Sequence, residues 1–178
     1  MRTYLDHNAT STLRPEAHLA LTRALAHSAN PSSVHRDGQK ARALVEDARE
    51  VLAAAIGRAP TEIVFTSGGT EACSLAIAGA VRGLGIGRIV ASAIEHAAVL
   101  EAARASGARL EIAPVTTDGV VDLAALDALL ADGNSAATLI CVMAANNETG
   151  AIQPMDEVAG LARTYGALLF CDAVQALG

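Results

Sequence analysis

Thr138-Leu139-Ile140-Cys141-Val142-Met143-Ala144 is an unbroken apolar run, and it gives way at once to Ala145-Asn146-Asn147-Glu148-Thr149-Gly150. An apolar run of this length, bounded by polar turn residues, reads as a strand buried on both faces, as strands of a parallel sheet are. The segments around it alternate in the same sense. Strands are predicted over 62–66, 88–92, 109–113 and 167–171, and helices over 70–82, 97–105, 123–130 and from Pro154 to Gly166. Upstream, Pro15 suits the first turn of a helix running to about His27, and Asn30-Pro31-Ser32-Ser33 reads as a loop. A long amphipathic helix then ends near Ile56, with Ala41, Leu44, Val45, Ala48, Val51, Leu52 and Ala55 at helical spacing. Strands alternating with helices predict an α/β fold: a mostly parallel sheet with helices on both faces.

Composition agrees with a packed interior. Hydrophobic residues make up 52% of the 178 positions but aromatics only 2%, so Ala, Leu, Val and Ile must build the core. The formal net charge of −6, without a basic block, argues against nucleic acid or an anionic membrane surface as a direct partner. Cys73, Cys141 and Cys171 lie far apart with no Cys-x-x-Cys pair, which argues against a thiol metal or redox site. Cys141 and Cys171 sit in apolar runs and read as buried structural thiols. The odd cysteine count, the lack of an apolar signal core at the N-terminus and the lack of a span-length apolar run lead to the expectation of a cytoplasmic protein.

Parallel sheets bind ligands outside the carboxyl ends of their strands. Ser67-Gly68-Gly69-Thr70 joins a strand to a helix, where free amides, close backbone approach and the Thr70 hydroxyl can cradle a phosphate. The alternative is a tight turn with Thr70 as helix cap. Asp172 follows Ala-Leu-Leu-Phe-Cys, and a carboxylate there needs a partner: a protonated ring nitrogen, an arginine or a helix start. His96 can stack on a ring, shuttle a proton or serve structure. Asn147 and Gln175 are neutral hydrogen bonders suited to a phenolic oxygen or a carboxylate. Asn146-Asn147-Glu148 can equally be an ordinary polar turn.

Tyr-Leu-Asp-His-Asn-Ala-Thr (4–10), Asn-Pro-Ser-Ser-Val-His (30–35), Glu-Ile-Val-Phe-Thr-Ser-Gly-Gly-Thr-Glu (62–71), Glu-His-Ala-Ala-Val-Leu (95–100), Asn-Asn-Glu-Thr-Gly (146–150) and Asp-Ala-Val-Gln-Ala-Leu-Gly (172–178) follow one another in order. In these runs the chain resembles the cysteine desulfurases, enzymes of the class V aminotransferase group that use pyridoxal 5'-phosphate (PLP) on the fold type I architecture. The resemblance implies an extended segment 1–14 on the small-domain side and a partial PLP-binding large domain over 15–178. It implies that Gly69 and Thr70 bind the cofactor phosphate and that His96 stacks on the ring and relays protons. Asp172 would pair with the pyridine nitrogen and Gln175 with the phenolic oxygen. Asn147 would lie by that oxygen and the substrate carboxylate, and the 30–35 loop would border the site.

The activity so implied is conversion of L-cysteine to L-alanine, with persulfide sulfur passed to an acceptor or scaffold protein for iron-sulfur cluster assembly or tRNA thiolation, in a homodimer. Selenocysteine lyases and transaminases of the same class are the alternatives within enzymes, and a shortened non-catalytic binding module is the alternative outside them. Where the family shows a polar Asp-Asn type pair after Ser-Gly-Gly-Thr-Glu-Ala, this chain has Cys73-Ser74, so the turn would be braced differently. Cys73 is not the family's sulfur-accepting cysteine, which lies downstream. Lys40, the single lysine, reads as a solvated helix charge. The family's cofactor lysine, substrate-carboxylate arginine, small domain and last two large-domain strands would all lie past Gly178. Without those strands the one expected over 62–66 would lack a neighbour. The expectation is therefore an incomplete copy of an enzyme.

Overall fold

The computed structural model describes residues 3–26, 29–132 and 137–177. They fall into two compact units, Met1–Phe65 and Thr66–Gly178.

The first unit holds helix α1 (Pro15–Leu25) and helix α2 (Arg36–Ala55). Pro15 stands in the first turn of α1, as its missing N–H permits. The expected end at His27 lies outside the described residues. The loop before α2 is packed on itself: the Ser32 amide donates to Asn30 Oδ1 at 2.9 Å and the Ser33 amide to the Asn30 carbonyl at 3.0 Å. His35 Nδ1 then caps α2 by accepting the Gly38 amide at 3.3 Å. Gly38 is buried against this loop, and a Cβ there would collide with the backbone oxygens of Ser33 and Asn30. Of α2, only Gly38 and Ala53 are buried.

The strand expected over 62–66 does not form. Pro60–Glu62 is a 3₁₀ turn, closed by Glu62 Oε2 accepting the Ala59 amide at 2.8 Å. Residues 63–66 are irregular, and among the described residues no strand pairs with them. A strand's own amides and carbonyls need a neighbour, and here Arg49 takes over part of that task. Its guanidinium donates to the Ile63 carbonyl and lies 5.0 Å from the centre of the Phe65 ring.

The second unit runs α3 (Gly69–Leu84), β1 (Arg88–Ser92), α4 (Ala97–Ala105), β2 (Arg109–Ala113), α5 (Leu123–Ala131), β3 (Thr138–Cys141), α6 (Met155–Tyr165) and β4 (Leu168–Phe170). The sheet order is β2-β1-β3-β4, and every pairing is parallel. Side chains alternate across the pleat. Ile89, Ala91, Leu139 and Cys141 meet Ile77 of α3 and Val99 of α4 on one face. Val90, Ile140 and Val142 meet Leu126 and Leu130 of α5 and Val158 of α6 on the other. The fold is thus the α/β arrangement expected, with helices on both faces.

Two strand readings need correction. β3 stops at Cys141 rather than Ala144, because its pairing with β1 ends at Ala91; beyond it the backbone still bonds on the β4 side, Val142 N to Phe170 O at 3.1 Å and Ala144 N to Asp172 O at 2.8 Å, while the Met143 amide turns to Glu95 Oε1. β4 is not a buried strand: nothing pairs with its outer side among the described residues, and Leu168 is 41% exposed. For the same reason Cys171, expected to be buried, is exposed, whereas Cys73 and Cys141 are buried.

At the amino-terminal end of the sheet Arg88 grips Glu111 with two bonds, Nε to Oε1 at 3.0 Å and Nη2 to Oε2 at 2.7 Å, and also donates to the Leu129 carbonyl at 2.8 Å. The hydrogen bonds from Arg88 hold the Glu111 carboxyl below the ordinary carboxylate range. A depressed carboxyl stabilises the fold above its unfolded pKa, and that contribution goes as pH falls through the folded value. Glu111→Ala, which strands the Arg88 guanidinium, is expected to cost about 3 kcal/mol and to flatten the acid limb of the stability curve, both readable by urea unfolding at several pH values. Gly38→Ala is expected to cost about 2 kcal/mol by overpacking the 30–33 loop, with no change in the pH profile, and thermal unfolding checks it.

Candidate functional site

In a parallel sheet every strand delivers its following residues to the same edge. Here the segments after β1, β3 and β4 are tied together there. Asn146 Nδ2 donates to the Ile94 carbonyl at 3.2 Å, the Met143 amide to Glu95 Oε1 at 2.8 Å, and the Ala144 amide to the Asp172 carbonyl at 2.8 Å. The start of α3 belongs to the same neighbourhood, since a Cβ built on Gly69 would lie 3.8 Å from Val174 Cγ2.

That helix start has the properties of an anion cradle. No side chain caps it, so Thr70 is not a cap; it lies within the first turn of α3. The leading amides of a helix lack intrahelical partners and attract negative charge. Gly68 is extended, φ 169° and ψ 178°, and nothing lies within 4 Å of where its Cβ would be. A ligand can therefore approach the backbone closely. Glu71 turns back from this end: its Oε2 accepts the Ser67 amide and hydroxyl, each at 2.6 Å, and these bonds hold its carboxyl below the ordinary range.

His96 is the N-cap of α4, its Nδ1 accepting the Ala98 amide at 3.1 Å. In the neutral ring the proton then sits on Nε2. The imidazole is exposed, so its faces and Nε2 stay open. Asp172 is half-buried just past β4, and Oδ1 accepts the Val174 amide at 3.1 Å. No Arg or Lys forms an ion pair with it among the described residues, so of the partners weighed for this carboxylate an arginine is absent there. Gln175 lies in the turn that follows, closed by the Ala176 amide donating to the Ala173 carbonyl at 2.9 Å. Asn147 is half-buried in the turn after β3.

That turn is more than an ordinary polar one. Asn146 is 8% exposed, and its Oδ1 accepts the Glu148 amide at 2.9 Å and the Thr149 amide at 2.8 Å. Gly150, at φ 75°, lets the chain reverse into the Ala145–Ile152 bridge. Gln153, also buried, accepts the Val121 amide at 2.9 Å and donates to the Gly119 carbonyl at 3.0 Å. Sequence reasoning passed over Asn146, Gln153, Ser92 and Glu95. The only signal in the residues was spacing: a serine at the last position of β1 with a glutamate three residues later.

Lys40 stands apart in the first unit. It is exposed on α2 and 3.9 Å from Asp37 Oδ1, the solvated charge expected of it. Among the described residues no group of His, Cys, Asp and Glu side chains could hold a metal ion.

Comparison with known proteins points one way. The family model described as aminotransferase class-V matches residues 3–178. A cysteine desulfurase of Cereibacter sphaeroides is 44% identical over 184 residues, covering 99% of this chain and 47% of its own length. The cysteine desulfurase IscS of Dictyoglomus turgidum is 40% identical over 181 residues, covering 98% and 45%. Among solved structures a NifS-like protein superposes with a TM-score of 0.88 at 34% identity, over 99% of this chain and 50% of that one. SspA in complex with cysteine gives 0.87 at 28% identity, over 98% and 51%. The chain spans about half the length of the relatives it matches, and over that span it belongs to the class V aminotransferase family.

Proposed function

We propose that this chain carries the cofactor-pocket portion of a PLP-dependent cysteine desulfurase. The observation that carries the reading is the meeting, at one sheet edge, of an uncapped glycine-rich helix start with the segments that bear His96 and Asp172. The residues fit the cofactor. The amides of Gly69 and Thr70 and the Thr70 hydroxyl suit a phosphate dianion. The open imidazole of His96 suits a flat ring, and the Asp172 carboxylate suits a protonated pyridine nitrogen. Gln175 would donate to the phenolic oxygen, and Asn147 would serve that oxygen and the substrate carboxylate. Bound there, PLP supplies an electron sink for the bonds at the substrate's α-carbon. Asp172 would keep the ring nitrogen's proton in place, and the Nε2–H of His96 could donate a proton near the substrate.

The relatives' names support L-cysteine as substrate, and with it a sulfur-acceptor or scaffold protein as the partner that takes the persulfide sulfur. A homodimer, a cytoplasmic location, and a division at residues 14/15 between a small-domain segment and the cofactor domain belong to the same reading. Among the described residues no helix is long and apolar enough to cross a membrane. The amine that holds the aldehyde and the sulfur-accepting thiol would come from the portion of the relatives' length that this chain does not span.

The test uses the full-length gene product supplied with PLP and L-cysteine. Alanine and acceptor-bound sulfur are expected in equal amounts. Asp172→Ala is expected to lower kcat by about 100-fold or more while PLP is still bound, because it removes the group that stabilises developing charge. Thr70→Val is expected to weaken PLP binding about tenfold by removing one charge-assisted hydrogen bond, followed by cofactor absorbance. Release of selenium from selenocysteine without release of sulfur from cysteine, or transfer of the amino group to an oxo acid, would replace the desulfurase reading by one of its relatives.

A further inference from the structure

Among the described residues Glu95 is the only acid whose side chain is buried, at 6% exposure. It lies under the crevice, three residues beyond the last residue of β1. Its Oε1 accepts two bonds: the Ser92 hydroxyl at 2.6 Å and the Met143 amide at 2.8 Å. Its Oε2 is buried without a partner. One oxygen therefore joins the end of β1 to the end of β3. Asn146 makes a second tie between the same segments, through Nδ2 to the Ile94 carbonyl at 3.2 Å. The residues immediately beyond the two ties are His96 and Asn147.

We infer that Glu95 is a positioning residue: by joining the ends of β1 and β3 it fixes where His96 and Asn147 stand in the crevice. The inference rests on the cofactor reading above for its purpose, and on the hydrogen bonds for its existence. A glutamate is needed in place of an apolar residue because two donors, one a backbone amide, converge on the same buried point, and leaving either unmet is costly. The arrangement also chooses a protonation state. An ionised carboxylate with a dry, unpartnered oxygen is disfavoured, whereas the same oxygen carrying the proton is tolerated.

Burial pushes the Glu95 carboxyl from the ordinary 4.5 up to about 7; the bonds from Ser92 and Met143 oppose the rise, and the like charge of Asp172 adds to it. The titratable groups around it are Asp172 past β4, Cys73 on α3, Cys141 in β3 and Cys171 after β4. None of them is a cation. The folded state thus holds a proton that the opened state releases between about 4.5 and about 7. Across that window the closed state loses stability as pH rises, because the buried carboxyl must ionise, and above it the loss is complete, the bonds from Ser92 and Met143 offsetting only part of it.

Hydrogen exchange of the full-length protein without cofactor, and PLP titration of the same protein, test the inference. Glu95→Ala is expected to speed exchange in peptides covering 93–99 and 142–150 by about tenfold, leaving α5 unchanged, and to weaken PLP binding by about tenfold. Glu95→Gln keeps an acceptor oxygen for Ser92 and Met143. It is expected to restore both readouts, and to abolish the loss of protection that the wild type shows between about pH 4.5 and about pH 7.

Unchanged exchange in both segments of Glu95→Ala overturns the inference, as does Glu95→Gln behaving like Glu95→Ala. Should Glu95→Ala lose cooperative unfolding, Ser92→Ala decides on the same readouts, with changes of about threefold expected for one lost donor. The two readings fail separately. A wild type that does not bind PLP overturns the cofactor reading and with it the purpose of the tie. A wild type that binds PLP, with a Glu95→Ala variant that binds it equally well, overturns the tie alone.

Discussion

β1 and β3 lie side by side in register, Arg88 opposite Thr138 and Ala91 opposite Cys141, and both run the same way. Parallel neighbours cannot be joined by a tight turn; the chain must leave the sheet, cross a face as a helix and return. Each crossing leaves from the same edge, so the segments after β1, β3 and β4 collect there whatever lies between them. The crevice is a consequence of that pairing. It also explains why the polar residues are so unevenly distributed. Between their end residues β1, β3 and β4 carry only Ile, Val, Ala and Leu, and polarity resumes soon after each of them ends.

The core that supports this edge is built without large rings. Ile77, Ile89, Val99 and Leu139 fill one face and Val90, Leu126, Leu130, Ile140 and Val158 the other. Small residues such as Ala91, Ala103, Ala113 and Ala162 let backbones approach closely, and close packing supplies the dispersion contacts that a bulkier core would gain from aromatics. The far end of the sheet is held differently, by the paired charges of Arg88 and Glu111. The two ends thus divide the labour: ion pairing closes the amino-terminal end, and hydrogen-bonded polar turns leave the carboxyl end open to a ligand.

Strands β1 and β2 and helix α4 were legible to the residue, because each is a short periodic segment closed by turn residues or a cap. Helix ends came within a residue or two, for the same reason at Pro154 and Gly166. The failures share one cause, which is that strand formation is a property of pairs. Glu-Ile-Val-Phe-Thr has the composition of a strand, yet Ile63 gives its carbonyl to Arg49 and the segment stays out of the sheet. The apolar run after Thr138 predicts burial correctly through Met143, but not where pairing with β1 ends. Cys171 reads as buried from its neighbours in sequence and is exposed because β4 is an edge. His96, Asn147, Asp172 and Gln175 were singled out because they follow strands in the pattern, and Gly69 and Thr70 because they open a helix, while the roles proposed for all six come from the resemblance. Glu95 and Asn146 were not, since their importance lies in contacts 48 and 52 residues away in sequence.

Burial separates the polar groups of the crevice into two kinds, and the separation has a physical meaning. Ser92, Glu95 and Asn146 are buried, and apart from Glu95 Oε2 their side-chain polar atoms are spent on the protein's own backbone or on one another. His96, Asn147, Asp172 and Gln175 are exposed or half-buried. A dry, satisfied group cannot exchange its partners for a ligand without leaving them unmet, so it serves as frame. A group in contact with water exchanges solvent for ligand at little cost. The frame residues therefore matter through geometry: a shift of the β1 turn against the β3 turn moves His96 relative to Asn147 without altering either side chain. For any flat, charged ligand held between several strand ends, that relative placement decides whether its contacts can be made at once or only one at a time.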